Sequence, residues 1–255
     1  MRVIQTALLG LLIALPALPQ TDAEKSKLEI TGSFWRMDTA GTLQAAGTPL
    51  NLQADLGVKQ AQSTFTGKIV FKPGRKHKIL VEGTPYRLDG AQALTRTVTY
   101  QGQTYNLNDR ITSKASVDSV YGGYQYDVVS NSMGHLGFNV GAAYLNAAGS
   151  VTSTTTNVSA SKSITVGLPL AGVEFGVFPV RKKTLVEFNG EVKGMALGSY
   201  GRFVQATGNV GVGWGPILFE AGYRIADFDL HSGNSTTIIA PRFTGPIFSV
   251  VFRIP

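Results

Sequence analysis

Along much of this chain, residues two positions apart share a character, the period of a strand with two unlike faces. The pattern is plain at the C-terminus, where Phe248, Val250 and Phe252 alternate with Ser249 and Arg253. A last strand of this kind needs a neighbour on each edge. The first strand is the simplest second neighbour, and pairing with it closes a barrel. Leu28, Ile30, Gly32 and Phe34 alternate with Glu29, Thr31, Ser33 and Trp35 to supply that first strand. The same period recurs through Phe65, Ile69 and Phe71, through Ile79 and Val81, and through Val120, Tyr124 and Tyr126. It continues through Phe138, Val140 and Tyr144, Val173, Phe175 and Val177, and Val186, Phe188 and Val192. Val204, Val210 and Val212, then Phe219, Ala221 and Tyr223, complete the set. The expected count is about ten strands, or eight if weak segments merge.

Turn signals divide the connections into two kinds. Pro73 and Gly74, residues 130–134, 179–183 and 213–216 predict tight turns. Residues 38–61, 86–113 and 146–163 predict long connections. Within 86–113, Val98 and Tyr100 oppose Tyr105 and Leu107 across Gln101, Gly102 and Gln103, which predicts a protruding hairpin. The Ser, Thr, Ala and Asn content of 146–163 predicts a solvated loop.

Alternation alone does not say which face meets water, since a soluble barrel inverts a membrane barrel. The polar face carries Glu29, Lys68, Glu82, Gln125, Asn139, Glu174, Glu187, Glu191, Lys193, Glu220 and Arg224. Charges of both signs can pair there, which suits a narrow lumen. The apolar face combines Gly and Ala with aromatics such as Phe34, Phe71, Tyr126, Tyr144 and Tyr223 towards strand ends, as a membrane girdle requires. The expected fold class is all-β, a closed antiparallel transmembrane β-barrel, with a secreted soluble barrel or sandwich as the alternative. Composition agrees: 255 residues, 15% charged, 30 glycines and no cysteine exclude a disulfide framework and thiolate metal sites. The net charge of +7 is dispersed, with local groups only at Arg75, Lys76, Lys78 and at 181–183, which argues against nucleic-acid binding. Arg2 followed by an apolar run over 7–18 and a polar stretch reads as a secretory signal peptide over about residues 1–23, leaving 24–255 as the barrel.

Ala221, Gly222, Tyr223, Arg224, then Asp227 and Asp229, then Gly245, Pro246, Phe252 and Arg253 resemble the closing hairpin of small Gram-negative outer-membrane β-barrels. The resemblance implies the bacterial outer membrane, contact with its lipid and lipopolysaccharide, and delivery by the barrel-assembly machinery through a terminal strand carrying Phe248, Val250 and Phe252. Such barrels end on an aromatic, whereas Arg253, Ile254 and Pro255 follow Phe252 in this chain.

Little in the sequence points to catalysis. His77 and His135 fall at predicted short turns and His231 at the opposite rim, so they form no shared metal site, and each reads as a polar turn residue. Asp229 and His231 have the Asp-x-His spacing of outer-membrane aspartyl-type proteases, but the second aspartate pair of that family is missing. Lipid A deacylases need a His, a Ser and a later Glu, and no acidic residue follows Ser232. No glycine-rich phosphate loop opens a helix, so no cofactor is expected. The expected function is a non-enzymatic barrel with a structural or narrow passive-pore role. The alternative is surface binding through the long loops, with Arg87, Arg96, Arg110 and Lys114 meeting lipopolysaccharide phosphates. A rim hydrolase is the remote third reading.

Overall fold

The computed structural model describes residues 26–181, 184–196, 201–231 and 237–255; the predicted signal peptide and part of the 179–183 turn lie outside them. The strands are β1 (Leu28–Ala45), β2 (Leu50–Asn51), β3 (Ala61–Gly74), β4 (His77–Ala93), β5 (Val98–Tyr100), β6 (Gln103–Tyr105) and β7 (Arg110–Asn131). They continue as β8 (Gly134–Ser153), β9 (Ser159–Arg181), β10 (Leu185–Ala196), β11 (Gly201–Trp214), β12 (Ile217–His231) and β13 (Thr237–Ile254). Ten of them form one antiparallel sheet that β13 closes on β1, from Phe34 opposite Phe248 to Leu28 opposite Ile254. The ten-strand expectation therefore holds over eight. β2 pairs only with β1, and β5 with β6 forms a separate hairpin.

Following the ladder once round, Leu28 leads through Phe71, Ile79, Tyr124, Val140 and Ala171. It goes on through Gly194, Val204, Asp227 and Arg242, and returns to β1 at Ala40, a stagger of 40 − 28 = 12 residues. Ten strands with this stagger tilt by about 40° and enclose a barrel of roughly 10 Å radius.

Outward positions carry an apolar band on every strand, such as Ile30, Gly32 and Phe34 on β1 or Phe219, Ala221 and Tyr223 on β12. Each band ends at a polar residue, including Arg36, Ser63, Arg87, Asp118, Asn146, Thr165, Arg202, Asp227 and Arg242. A tilted strand crosses a bilayer in about 9–11 residues. At 22, 20 and 23 residues, β7, β8 and β9 therefore extend well past it on the side opposite the tight turns.

This projection corrects three expectations. The presumed solvated loop 146–163 is mostly strand: β8 runs to Ser153 and β9 starts at Ser159. The first third of the 38–61 connection is the upper part of β1, and its remainder turns inward, with Leu50, Leu52, Leu56 and Val58 buried. The hairpin of β5 and β6 exists but does not protrude. Val98, Tyr100 and Tyr105 are each 1% exposed or less, because the hairpin lies over the barrel mouth. Its two-residue turn at Gln101 and Gly102, both at positive φ, has the twist such hairpins need.

Candidate functional site

The lumen holds two stacked layers of opposite chemistry. Inward positions level with the apolar band are mostly polar and charged, with a small apolar cluster of Phe178, Leu185, Leu218 and Val251 at the tight-turn end, and those beyond the band are mostly apolar.

All nine charged residues read from the polar face point into the first layer. Glu82 on β4 accepts from Lys193 Nζ on β10 at 2.5 Å, from Arg224 on β12, and from Gln205 Nε2 at 3.3 Å. Lys68 on β3 reaches Glu191 on β10 at 3.0 Å and Glu174 on β9 at 3.6 Å. Glu191 also lies 3.2 Å from Lys193, whose ammonium sits 4.5 Å above the Tyr121 ring. Glu29 bonds Lys72 at 2.7 Å and Arg253 at 3.2 Å, and Arg253 spans to Glu187 at 2.6 Å. Glu220 accepts from Asn189 Nδ2 at 2.6 Å.

Strand order places β3 and β10 five staves apart in a ring of ten, so the Lys68–Glu191 bridge crosses the full diameter. About 100 Å³ of free space remains at this level. Ligand pockets usually need several times that volume.

The sequence reading missed several members of this layer. Lys72 has no place in the sequence reading and Lys78 stands there in the basic group with Arg75 and Lys76, yet they are 8% and 2% exposed, and Lys78 pairs with Asp127 at 3.0 Å. Their even positions on β3 and β4 continue the parity of Lys68 and Glu82, which is the signal that finds them. Arg253, which alternation sets on the polar face of the last strand with Ser249, is a lumen residue, and Ile254 still pairs with Leu28. His135, expected as a polar turn residue, is buried, faces Glu174 at 3.6 Å and packs on Phe178. His77 is exposed at its turn and bonds the Tyr124 hydroxyl at 2.5 Å. On the terminal strand, Phe248 and Phe252 are exposed on the outer wall and Val250 shares their face.

Beyond the band the lumen is an aromatic cluster. Tyr86 stacks on Phe243 at 4.8 Å, Trp35 meets Tyr86 edge-on at 6.0 Å, and Phe203 lies 4.7 Å from Phe228. The β5–β6 hairpin caps it, with Tyr105 donating to the Val151 carbonyl at 3.0 Å and Tyr100 to that of Gly149 at 3.3 Å. A clasp holds the cap: Arg96 donates to both Asp55 oxygens at 2.9 and 2.7 Å. Those hydrogen bonds, with one from the Asn51 amide and against partial burial, lower the Asp55 pKa.

The loop cations expected to bind a partner are thus partly engaged. Arg96 is taken by Asp55, and Arg87 pairs with Asp118 at 2.5 Å on the outer wall. Lys114 and Arg110 are exposed. At the rim, Asp229 and His231 bond each other at 2.9 Å, but they share the outward parity of Phe219 and Tyr223. Phe228 and Leu230 hold the inward positions beside them, so the protease-like spacing does not face the lumen. Ser232 lies outside the described residues.

No protein-family model matches the sequence, and no curated protein matches it. Solved structures match the fold. The outer membrane protease OmpT from Escherichia coli aligns with a TM-score of 0.54 at 9% identity, over 94% of this chain and 100% of that one. The translocator domain of the autotransporter NalP from Neisseria meningitidis gives 0.49 at 11% identity, over 99% and 95%. The attachment invasion locus protein Ail of Yersinia pestis, in complex with the heparin analogue sucrose octasulfate, gives 0.38 at 12% identity, over 88% and 99%.

Proposed function

From the premise that this chain has the fold of Gram-negative outer-membrane β-barrels, we propose that it is a non-enzymatic barrel with a plugged lumen, a structural element of the outer membrane. The observation that carries this reading is the Lys68–Glu191 bridge across the full diameter, joined to Glu174, Lys193, Glu82 and Arg224. Charges held this way fix strands that are far apart in sequence and leave no gap for a hydrated solute. Glu187, Arg253 and Glu29 tie the first and last strands into the same network. The outward position of Asp229 and His231 supports a non-catalytic rim. Lipid and lipopolysaccharide are the expected surroundings, and the terminal face of Phe248, Val250 and Phe252 is the segment we assign to recognition by the assembly machinery.

Recording from planar bilayers tests the plug. The wild-type protein is expected to show no sustained conductance, and Lys68→Ala with Glu191→Ala is expected to create one. Steady large conductance from the wild-type protein would overturn the proposal.

A further inference from the structure

Charge of one sign collects at the tight-turn end of the barrel. Among the described residues, every Asp and Glu either points into the lumen, as Glu29 and Asp127 do, or lies at or beyond the upper edge of the apolar band, as Asp118 and Asp227 do. Lysine and arginine occupy both of those levels too. Arg75, Lys76 and Arg181 belong to neither; they are exposed at the tight turns, and no carboxylate side chain stands at that level to pair with them.

Strand order gathers these cations on one side of the rim. β4 lies next to β7 and β8 next to β9, so the β3–β4, β7–β8 and β9–β10 turns follow one another round the ring. They are also bonded to each other. Ser130 donates to the Arg75 carbonyl at 3.1 Å, the Asp127 amide to that of Lys76 at 2.8 Å, and Arg181 to that of Ser132. Lys76 and Arg181 therefore flank the β7–β8 turn from either side. The β11–β12 turn, from Trp214 to Ile217, carries no charge.

The cations sit among apolar groups. Lys76 Nζ lies 5.9 Å from the centre of the Tyr126 ring, and His77 beside it bonds the Tyr124 hydroxyl. Both tyrosines are exposed on the outer wall, so this ammonium leans along the lipid-facing surface. At the β7–β8 turn Met133 is 65% exposed, with Val128 and Val129 exposed before it and Val180 beside Arg181. A turn bathed only in water gains nothing from such residues. Apolar atoms at the acyl boundary with cations just above them are the arrangement that holds a segment in the headgroup region. Tight turns of outer-membrane barrels face the periplasm, so the headgroups at this level belong to the inner leaflet.

We propose that this side of the rim is a binding surface for anionic phospholipid of the inner leaflet. Arg75, Lys76 and Arg181 take the headgroup phosphate, and the wall at Tyr126, Leu136 and Phe175 takes the acyl chains. A zwitterionic lipid brings its own ammonium to the same place, so the preference is for a net negative headgroup such as phosphatidylglycerol. The proposal rests on the membrane placement of the barrel and not on its plug, so its test does not depend on conductance.

Trp214 supplies an internal control, since it is 55% exposed at the uncharged turn of the same rim. In the parent protein it reports on that turn. Met133→Trp combined with Trp214→Phe moves the reporting indole to the basic side, and buried Trp35 is a common background to both. Fluorescence would be read in vesicles of phosphatidylcholine with a minor share of phosphatidylglycerol, the acyl chains of one lipid or the other being brominated. At position 133, phosphatidylglycerol is expected to associate more strongly than phosphatidylcholine by at least about fivefold, the contribution of one cation near an anionic surface. At Trp214 the two lipids should quench alike. Replacing Arg75, Lys76 and Arg181 together with Gln should abolish the preference, and Arg75→Lys with Lys76→Arg and Arg181→Lys should keep it, which separates loss of charge from a change in folding. Equal quenching by the two lipids at position 133, or a preference that survives the three Gln replacements, would overturn the proposal.

Discussion

Glu82→Ala removes the acceptor at the centre of the charged layer. Glu82 is 5% exposed and receives Lys193, Arg224 and Gln205 at once. Arg224 has no other carboxylate within ion-pair distance among the described residues, while Lys193 keeps Glu191 at 3.2 Å. Truncation therefore strands one buried guanidinium and weakens the tie of one ammonium. Removing one partner of a buried pair costs about 3–5 kcal/mol, because the remaining charge is desolvated without compensation. With a denaturant slope of roughly 4–6 kcal/mol/M in guanidinium chloride, the unfolding midpoint should fall by about 0.5–1 M. The assay is guanidinium unfolding in detergent, followed by the loss of heat-modifiable gel migration. Glu82→Ala together with Arg224→Met should recover most of the loss, since the stranded charge is gone. A cost below about 1 kcal/mol for Glu82→Ala would mean that water screens the layer as it does surface ion pairs, and the argument for a dry plug would fail.

Other expectations are independent of this one. Gly141→Ala places its Cβ 2.3 Å from the Gly122 carbonyl oxygen and 2.6 Å from Gly123 Cα, so it should cost about 1–3 kcal/mol; Gly67→Ala, into open space, should be neutral or gain up to about 1 kcal/mol, and the same unfolding assay compares them. The Asp55 pKa is lowered in the folded protein, so its clasp is complete above the ordinary carboxylate range near pH 4 and is lost as pH falls through the depressed native value. A nitroxide on Thr104→Cys in the cap should stay immobile at neutral pH and loosen only below about pH 4, whereas Asp55→Asn should loosen it at every pH; mobility that rises between pH 5 and 7 would contradict the clasp. Phe252→Ala should slow folding into vesicles in the presence of purified assembly machinery more than in its absence, and an equal effect in both would remove the proposed recognition role.

The dyad period, the band of outward apolar residues and the tight turns at Gly74 and Gly215 were legible in the sequence because each depends on local neighbours alone. Strand number, the inward direction of Glu82 and Lys193, and the pairing of β13 with β1 followed from them. The upper halves of the strands were not legible. In β9 the outward row changes from Val173 and Phe175 to Ser161, Ser163 and Thr165, while the inward row changes from Glu174 to Ile164, Val166 and Leu168. Alternation persists there, but its apolar phase reverses where the wall leaves the membrane. A reading that equates apolar with outward ends the strand at that point.

Partnership was also beyond the sequence. That a strand holds Lys68 and another Glu191 is written in the chain; that the two meet at 3.0 Å from five staves apart depends on strand number and stagger, which only the closed barrel sets. The seam between β3 and β4, paired among the described residues only from the turn up to Gly67 opposite Gly83, has the same origin. Pro85 announces a missing donor, but whether that donor faces β3 or β7, and whether the edge beside it is lipid or protein, is decided by the register of all three strands.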